Sequence, residues 1–90
     1  MSEISKENEH VIEAALFAVN EPISVKRMQA LYAKEDRPSV EEIRASIAKL
    51  QDFYQGRGVE LVEVASGYTF RICADYVDSL QRYWDKRPPR

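Results

Sequence analysis

Cysteine, histidine and long apolar runs are scarce in this sequence of 90 residues. Cys73 is the single cysteine, which excludes an internal disulfide and favours a reducing cytoplasm. No apolar stretch approaches the ~20 residues that a membrane-spanning helix needs, so no membrane association is expected. His10 is the single histidine, whereas metal and catalytic sites need several converging groups. We therefore expect no metal, no cofactor and no enzyme.

The sequence also lacks an excess of basic residues, and its formal net charge is −2. A DNA-binding domain usually has a basic face, because phosphate contacts supply most of its affinity. Here the charges are segregated: residues 1–21 are acidic, and residues 86–90 are basic and contain two prolines. A basic, proline-containing end is typical of a linker. We therefore expect one domain over residues 1–85, the start of a linker at 86–90, and a longer parent protein.

The strongest local signal is a helix that starts after Ser39. Ser39 and Glu42 are spaced as a capping box, in which each side chain binds the other residue's backbone N–H. Gly56 can adopt the left-handed conformation that ends such a helix. The residues at spacings of three and four that form its apolar stripe are Val40, Ile43, Ile47, Leu50 and Tyr54.

Two short apolar runs after this helix predict a β-hairpin. They are Val59–Ala65 and Tyr68–Cys73, and they are rich in β-branched and aromatic residues. Ser66-Gly67 lies between them and supplies a glycine that tolerates a positive φ. Alternation places three side chains of the second strand on one face, which we expect to cover the third helix: Tyr68, Phe70 and Ile72.

Two helices are predicted before this region. The first covers Lys6–Val19, with Ser5 as its cap and Asn20 as a left-handed stop. Its predicted buried stripe comprises Val11, Ile12, Ala15, Leu16 and Val19, with Phe17 at the edge. Glu21–Ile23 is extended and could add a short strand to the hairpin. Ser24 caps the second helix, whose apolar residues are Val25, Met28, Leu31 and Tyr32.

A fourth helix follows the hairpin. Asp75 is its expected cap, and it should end near Asp85, before the prolines. The resulting order of helices and strands predicts an α+β fold that is mainly α: a winged helix with a three-helix core, a β-hairpin wing and a C-terminal helix.

A winged helix invites the hypothesis of DNA binding, but the residue types argue against it. The third helix should enter the major groove, yet its predicted solvent face has more acids than bases. That face comprises Glu41, Glu42, Arg44, Ser46, Lys49, Gln51 and Asp52. The wing has no base at its tip, and Arg71 stands alone on its strand. We expect no sequence-specific DNA binding, with a winged-helix transcriptional regulator as the alternative function.

Aromatic residues are numerous for so short a chain: five Tyr, three Phe and one Trp. Most should fill the core. Those of the fourth helix cover a broad arc, and a terminal helix buries only one side, so they either pack in the core or form an interface. Aromatic side chains left at a surface are typical anchors of protein–protein contacts. The predicted interface residues are Phe17, Tyr76, Tyr83 and Trp84.

Two segments resemble the N-terminal part of the segregation and condensation protein B (ScpB) family. They are IEAALFAVNEPISVKRMQALY, from Ile12 to Tyr32, and LQDFYQGRGVELVEVASGYTFRICADY, from Leu50 to Tyr76. The basic exit with two prolines adds to the likeness. The resemblance extends over residues 9–85, and the order and spacing of the pieces make it specific.

This resemblance implies a scaffold with no catalytic motif. ScpB proteins have two successive winged-helix domains, and this chain resembles the first. The family acts in chromosome condensation and segregation, in the cytoplasm at the nucleoid. It dimerises, chiefly through this domain, and clasps the kleisin subunit ScpA, which bridges the heads of an SMC ATPase. Because most kleisin contacts of the family lie in the second domain, the resemblance assigns none of them to residues of this chain.

Overall fold

The computed structural model describes residues 2–86, with the side chains of residues 7–83. It has the predicted mainly α winged-helix architecture. The helices are α1 (Ser2–Ala18), α2 (Val25–Gln29), α3 (Val40–Phe53) and α4 (Val77–Lys86), and the strands are β1 (Val59–Val64) and β2 (Gly67–Ile72). Two 3-10 turns, at Lys34–Asp36 and Ala74–Tyr76, precede α3 and α4.

Both ends of α1 differ from the prediction. The helix begins at Ser2, so Ser5 lies inside it and is not the cap. Asn20 is not left-handed, because the non-glycine residues described by the structure all have negative φ. Ile12 and Leu16 are buried as expected, but Val19 is 39% exposed. The helix ends at Ala18, so the chain turns away before Val19 can reach the core.

Helix α2 is shorter than its apolar pattern suggests. Ser24 caps it as predicted, with its hydroxyl accepting a hydrogen bond from the Arg27 backbone N–H at 3.2 Å. Met28 is fully buried. The helix ends at Gln29, so Leu31 lies beyond its last turn and is 47% exposed.

Helix α3 begins with the predicted capping box. The Ser39 N–H donates to Glu42 Oε1 at 2.8 Å, and the Glu42 N–H donates to Ser39 Oγ at 3.1 Å. Two predictions on this helix are wrong. Val40 is 41% exposed because it lies in the first turn, outside the core, and Ser46 is buried because it shares the helix face of Ile43. Gly56 has φ +75° and ends the segment as expected.

The hairpin pairs β1 and β2 in antiparallel register, from Val59 opposite Ile72 to Val64 opposite Gly67. The turn is therefore Ala65-Ser66, one residue before the predicted Ser66-Gly67. Glycine is still required at position 67, because its φ is +145° and a Cβ there would lie 2.4 Å from the Ile23 carbonyl carbon.

The predicted third strand is present as a single β-bridge between Ile23 and Tyr68. The Ile23 N–H donates to the Tyr68 carbonyl, and the Tyr68 N–H donates to the Ile23 carbonyl, both at 2.9 Å. This bridge attaches the segment between α1 and α2 to the outer edge of the wing. It is possible only because Gly67 leaves room for the Ile23 backbone.

The core lies between α1, α2, α3 and the inner face of the hairpin. Its buried hydrophobic residues are Ile12, Leu16, Ile23, Met28, Ile43, Ile47, Leu50, Leu61 and Tyr68. The main helix contacts of β2 are with α1 and those of β1 are with α3, although Tyr54 at the end of α3 packs against Phe70 of β2. Ile72, at the far end of the β2 face that includes Phe70, is 37% exposed.

The C-terminal helix makes its main contacts with the 3-10 turn that leads into it. Asp75 lies within this turn and is not the cap of α4, because the chain first forms a tighter turn over Ala74–Tyr76. The helix ends at Lys86, one residue beyond the expected position.

Candidate interaction surface

Phe17, one of the four predicted interface residues, lies on the last turn of α1 and is 55% exposed. Its ring stacks on Phe70 of β2, with ring centroids 4.5 Å apart and an interplanar angle of 14°. Tyr54 meets the same Phe70 ring edge-on, with centroids 4.9 Å apart. One face of Phe17 is therefore used within the domain, while about half of the side chain remains accessible.

Tyr76 and Tyr83 lie on the C-terminal segment, in the second 3-10 turn and in α4 respectively. They are 47% and 61% exposed. Trp84 lies in α4, but its side chain is outside the described residues. Phe17 thus packs beside β2, whereas Tyr76, Tyr83 and Trp84 belong to the segment that follows β2 in the sequence. Their role at an interface stays a prediction.

Sequence periodicity missed a second apolar surface, on which Val19 and Leu31 are exposed. An open groove of about 440 Å³ lies between the end of α1 and α2. Its apolar lining comprises Ala15, Ala18, Val19, Ile23, Ala30 and Leu31. Val19 and Leu31 belong to predicted stripes, and the signal that could have placed them at the surface is their position after the last complete turn of each helix.

Two hydrogen bonds between side chains fasten α1 to the rest of the domain. The Tyr32 hydroxyl donates to Asn8 Oδ1 at 3.0 Å, and the Tyr54 hydroxyl donates to the Glu13 carboxylate. Burial and, secondarily, the Glu7 charge raise the pKa of Tyr32. The hydrogen bond to Glu13, followed by burial, raises the pKa of Tyr54. Both tyrosines therefore remain protonated donors at neutral pH.

The helix that a DNA-binding winged helix uses for recognition has a mixed charge pattern here. Glu41, Arg44, Lys49 and Asp52 are all exposed on α3, while Glu42 is committed to the capping box. On the wing, Arg71 Nε donates to Glu60 Oε2 at 2.8 Å. The Glu60 carboxylate therefore neutralises the positive charge of Arg71, the base on β2. Among the side chains of residues 7–83, α3 and the wing therefore lack the concentration of positive charge that phosphate binding requires.

The residues that could carry chemistry are dispersed. His10 is exposed on α1, and Cys73 is a half-buried free thiol just after β2. Among the side chains that the structure describes, those of residues 7–83, no group of three His, Cys, Asp or Glu residues is arranged to hold a metal ion. No helix within residues 2–86 has the length and apolar character required to cross a membrane. The described surface does expose several large apolar and aromatic side chains, among them Phe17, Tyr76 and Tyr83.

The family model for segregation and condensation complex subunit ScpB matches residues 10–90. The segregation and condensation protein B homolog of Coxiella burnetii is 46% identical over 80 residues, which is 89% of this chain and 38% of that protein. The segregation and condensation protein B of Syntrophotalea carbinolica is 35% identical over 82 residues, 89% of this chain and 40% of that protein. The chain thus spans about two fifths of the length of these curated relatives.

Solved structures show the same likeness. A crystal structure of the dimer of an ScpB N-terminal domain complexed with an ScpA peptide has a TM-score of 0.75 and 25% identity, over 93% of this chain and 95% of that one. ScpB of Mycobacterium tuberculosis has a TM-score of 0.78 at 19% identity, over 96% of this chain and 54% of that one, and this match supports the fold alone.

Proposed function

We propose, since this chain belongs to the ScpB family of segregation and condensation complex subunits, that it is a non-enzymatic scaffold of a bacterial SMC–kleisin complex. In this role it forms a homodimer and supports binding of the kleisin subunit ScpA, and through ScpA it engages the SMC ATPase. It would act in chromosome condensation and segregation, in the cytoplasm at the nucleoid.

One observation carries the proposal. The solved ScpB N-terminal domain that this chain matches over 93% of its length is a dimer with an ScpA peptide bound. A likeness of 25% identity over nearly the whole of both chains supports a shared mode of assembly as well as a shared fold. We accordingly propose that residues 1–85 are one winged-helix unit and that residues 86–90 begin a linker.

The exposed aromatic side chains support a role in binding other proteins. Phe17, Tyr76 and Tyr83 expose large aromatic area, and aromatic side chains are enriched where protein interfaces are most strongly bound. We propose that these residues, together with Trp84, contribute to the dimer or partner interface. Because α4 makes its main contacts with its own leading turn, a second copy is the natural cover for its apolar side.

Sedimentation equilibrium of the 90-residue chain tests the proposal, first alone, then with ScpA, and finally with a short DNA duplex at low salt. We expect a dimer that gains the mass of ScpA and ignores the duplex. A chain that gains the mass of the duplex and not that of ScpA would contradict the scaffold role and favour the winged-helix transcriptional regulator. Replacing both Arg44 and Lys49 with Ala should leave ScpA binding unchanged, whereas it should disable a DNA reader.

A further inference from the structure

The outer edge of β2 has backbone groups that face away from β1. Tyr68 uses both its N–H and its carbonyl to pair with Ile23 on that edge. Backbone groups of alternate strand residues point in the same direction, so those of Phe70 and Ile72 face the same side. Within residues 2–86, neither N–H has a partner, and the Phe70 carbonyl receives only a long contact of 3.4 Å from its neighbour Thr69.

The opposite edge of the hairpin, formed by β1, has a side-chain hydrogen-bond partner from α3. Gln51 of α3 extends its side-chain amide to the Leu61 carbonyl on the outer edge of β1, at 3.3 Å. Helix α3 also packs along this strand. Exposed strand edges readily accept another extended chain, and folded proteins usually cover or interrupt them. On the outer edge of β1 the Leu61 carbonyl therefore has a side-chain partner, whereas on the outer edge of β2 only Tyr68 pairs with another backbone segment.

An open groove of about 360 Å³ runs beside the uncovered part of β2. Leu16 and Phe17 at the end of α1, with Val19 and Asn20 just after it, line one side, and Phe70 and Ile72 of β2, with Val59 of β1, line the other. Phe17 is 55% exposed and Ile72 is 37% exposed. The groove therefore combines apolar side chains with the backbone groups of Phe70 and Ile72 that face away from β1.

We propose that this groove binds an extended apolar segment of the kleisin subunit ScpA, which adds a strand to β2 beyond Ile23. The inference rests on the proposed function, because it names the partner from the peptide bound by the similar ScpB domain. A helix satisfies its own backbone groups, so free N–H and carbonyl groups in a row select an extended chain. Ile23 pairs antiparallel, and a segment continuing its line would pair with Phe70 and Ile72.

Amide NMR of the labelled chain, titrated with overlapping synthetic peptides that tile ScpA of the same organism, tests the proposal directly. One apolar peptide should shift the Phe70 and Ile72 N–H signals and slow their hydrogen exchange about tenfold or more. The Glu63 N–H provides the internal control, because it faces the outer edge of β1 and should not change.

Two proline variants form a matched pair. Ile72→Pro removes an outward N–H of β2, and Glu63→Pro removes an outward N–H of β1, so neither removes a hydrogen bond between the two strands. Ile72→Pro should weaken peptide binding about tenfold, and Glu63→Pro should change it less than about twofold. If Ile72→Pro unfolds the domain, N-methylation of the peptide at alternate residues serves instead, because it blocks the same pairing without altering the chain.

The outcomes separate this inference from the proposed function. A peptide that binds while the Phe70 and Ile72 amides stay unchanged would overturn the strand addition and leave the scaffold role intact. If these amides respond to the concentration of the chain itself, with no peptide present, the edge pairs with a second copy and the kleisin assignment is wrong. If neither the peptides nor full-length ScpA bind, both proposals fail.

Discussion

The body of the domain and its C-terminal helix bury similar residues to very different extents. In the body, Ile12, Met28 and Ile43 are completely buried, and the hairpin closes over the helices. In the C-terminal segment, Tyr76, Val77 and Tyr83 are all more than one third exposed.

The difference shows that an apolar stripe predicts that a helix face will be buried, but not whether the same chain or another protein covers it. In α3 the stripe is covered by α1 and α2 of the same chain. In α4 the main contacts are with the turn that precedes it, although its pattern of apolar residues is just as regular. We interpret the body as the part that folds by itself and α4 as the part completed by a partner.

The largest expected effect comes from the centre of the body. Ile43→Ala should lower the free energy of unfolding by about 2–5 kcal/mol, because it leaves a cavity in a fully buried site. Urea unfolding followed by circular dichroism measures this change. Val40→Ala is the matched control on the same helix, since Val40 is 41% exposed and should cost at most about 0.5 kcal/mol. Equal effects would contradict the assigned core.

Gly67→Ala should be the next most damaging change. The new Cβ would lie 2.4 Å from the Ile23 carbonyl carbon, and φ is +145°. We expect a loss of about 2–4 kcal/mol of stability, with the Ile23–Tyr68 bridge broken. Gly58→Ala is the control, because nothing lies within 4 Å of its added Cβ. Urea unfolding measures the loss of stability, and hydrogen exchange of the Ile23 amide shows whether the Ile23–Tyr68 bridge is broken.

A change in the C-terminal helix should have the opposite signature. Tyr83→Ala should raise the dissociation constant of the proposed homodimer by about tenfold, because exposed aromatics anchor interfaces. The unfolding midpoint of the monomer should barely move. Phe53→Ala is the control, since Phe53 is 58% exposed but lies on the body. Sedimentation equilibrium measures the association, and a Tyr83→Ala protein that unfolds would place that side chain in the core instead.

The smallest effect concerns pH. Tyr32 and Tyr54 have pKa values raised in the folded state, so the folded protein holds their protons more firmly than the unfolded chain does. Their contribution is fully present below the usual tyrosine pKa of about 10 and is lost as the pH rises through the higher folded values. Tyr54→Phe should flatten the decline of unfolding free energy above pH 10. An unchanged slope in urea titrations would contradict this contribution.

Local chemistry was the part of the structure that could be predicted from the sequence. The capping box of Ser39 and Glu42 and the left-handed Gly56 each depend on a few neighbouring residues, and their energies are decided within one turn. The order of helices and strands followed from these signals, and with it the winged-helix fold.

The predictions of burial failed where burial depends on where a helix ends or on which helix face packs against the core. Val19 and Leu31 continue the apolar stripes of α1 and α2, yet each lies after its helix ends and remains exposed. Ser46 was assigned to solvent by its polarity, but its position on the face of Ile43 buries it. The groove beside β2 was not predictable either, because it requires the register of the hairpin and the direction of α1 together.

The β-bridge between Ile23 and Tyr68 also has a consequence for how the chain folds. Its hydrogen bonds close a loop that contains α2 and α3, and contacts so distant in sequence form late in folding. We therefore expect the helices to collapse first and the wing to lock last. On the ribosome, a nascent chain that pauses before Tyr68 is made should hold its helices in an open, protease-sensitive arrangement until β2 emerges.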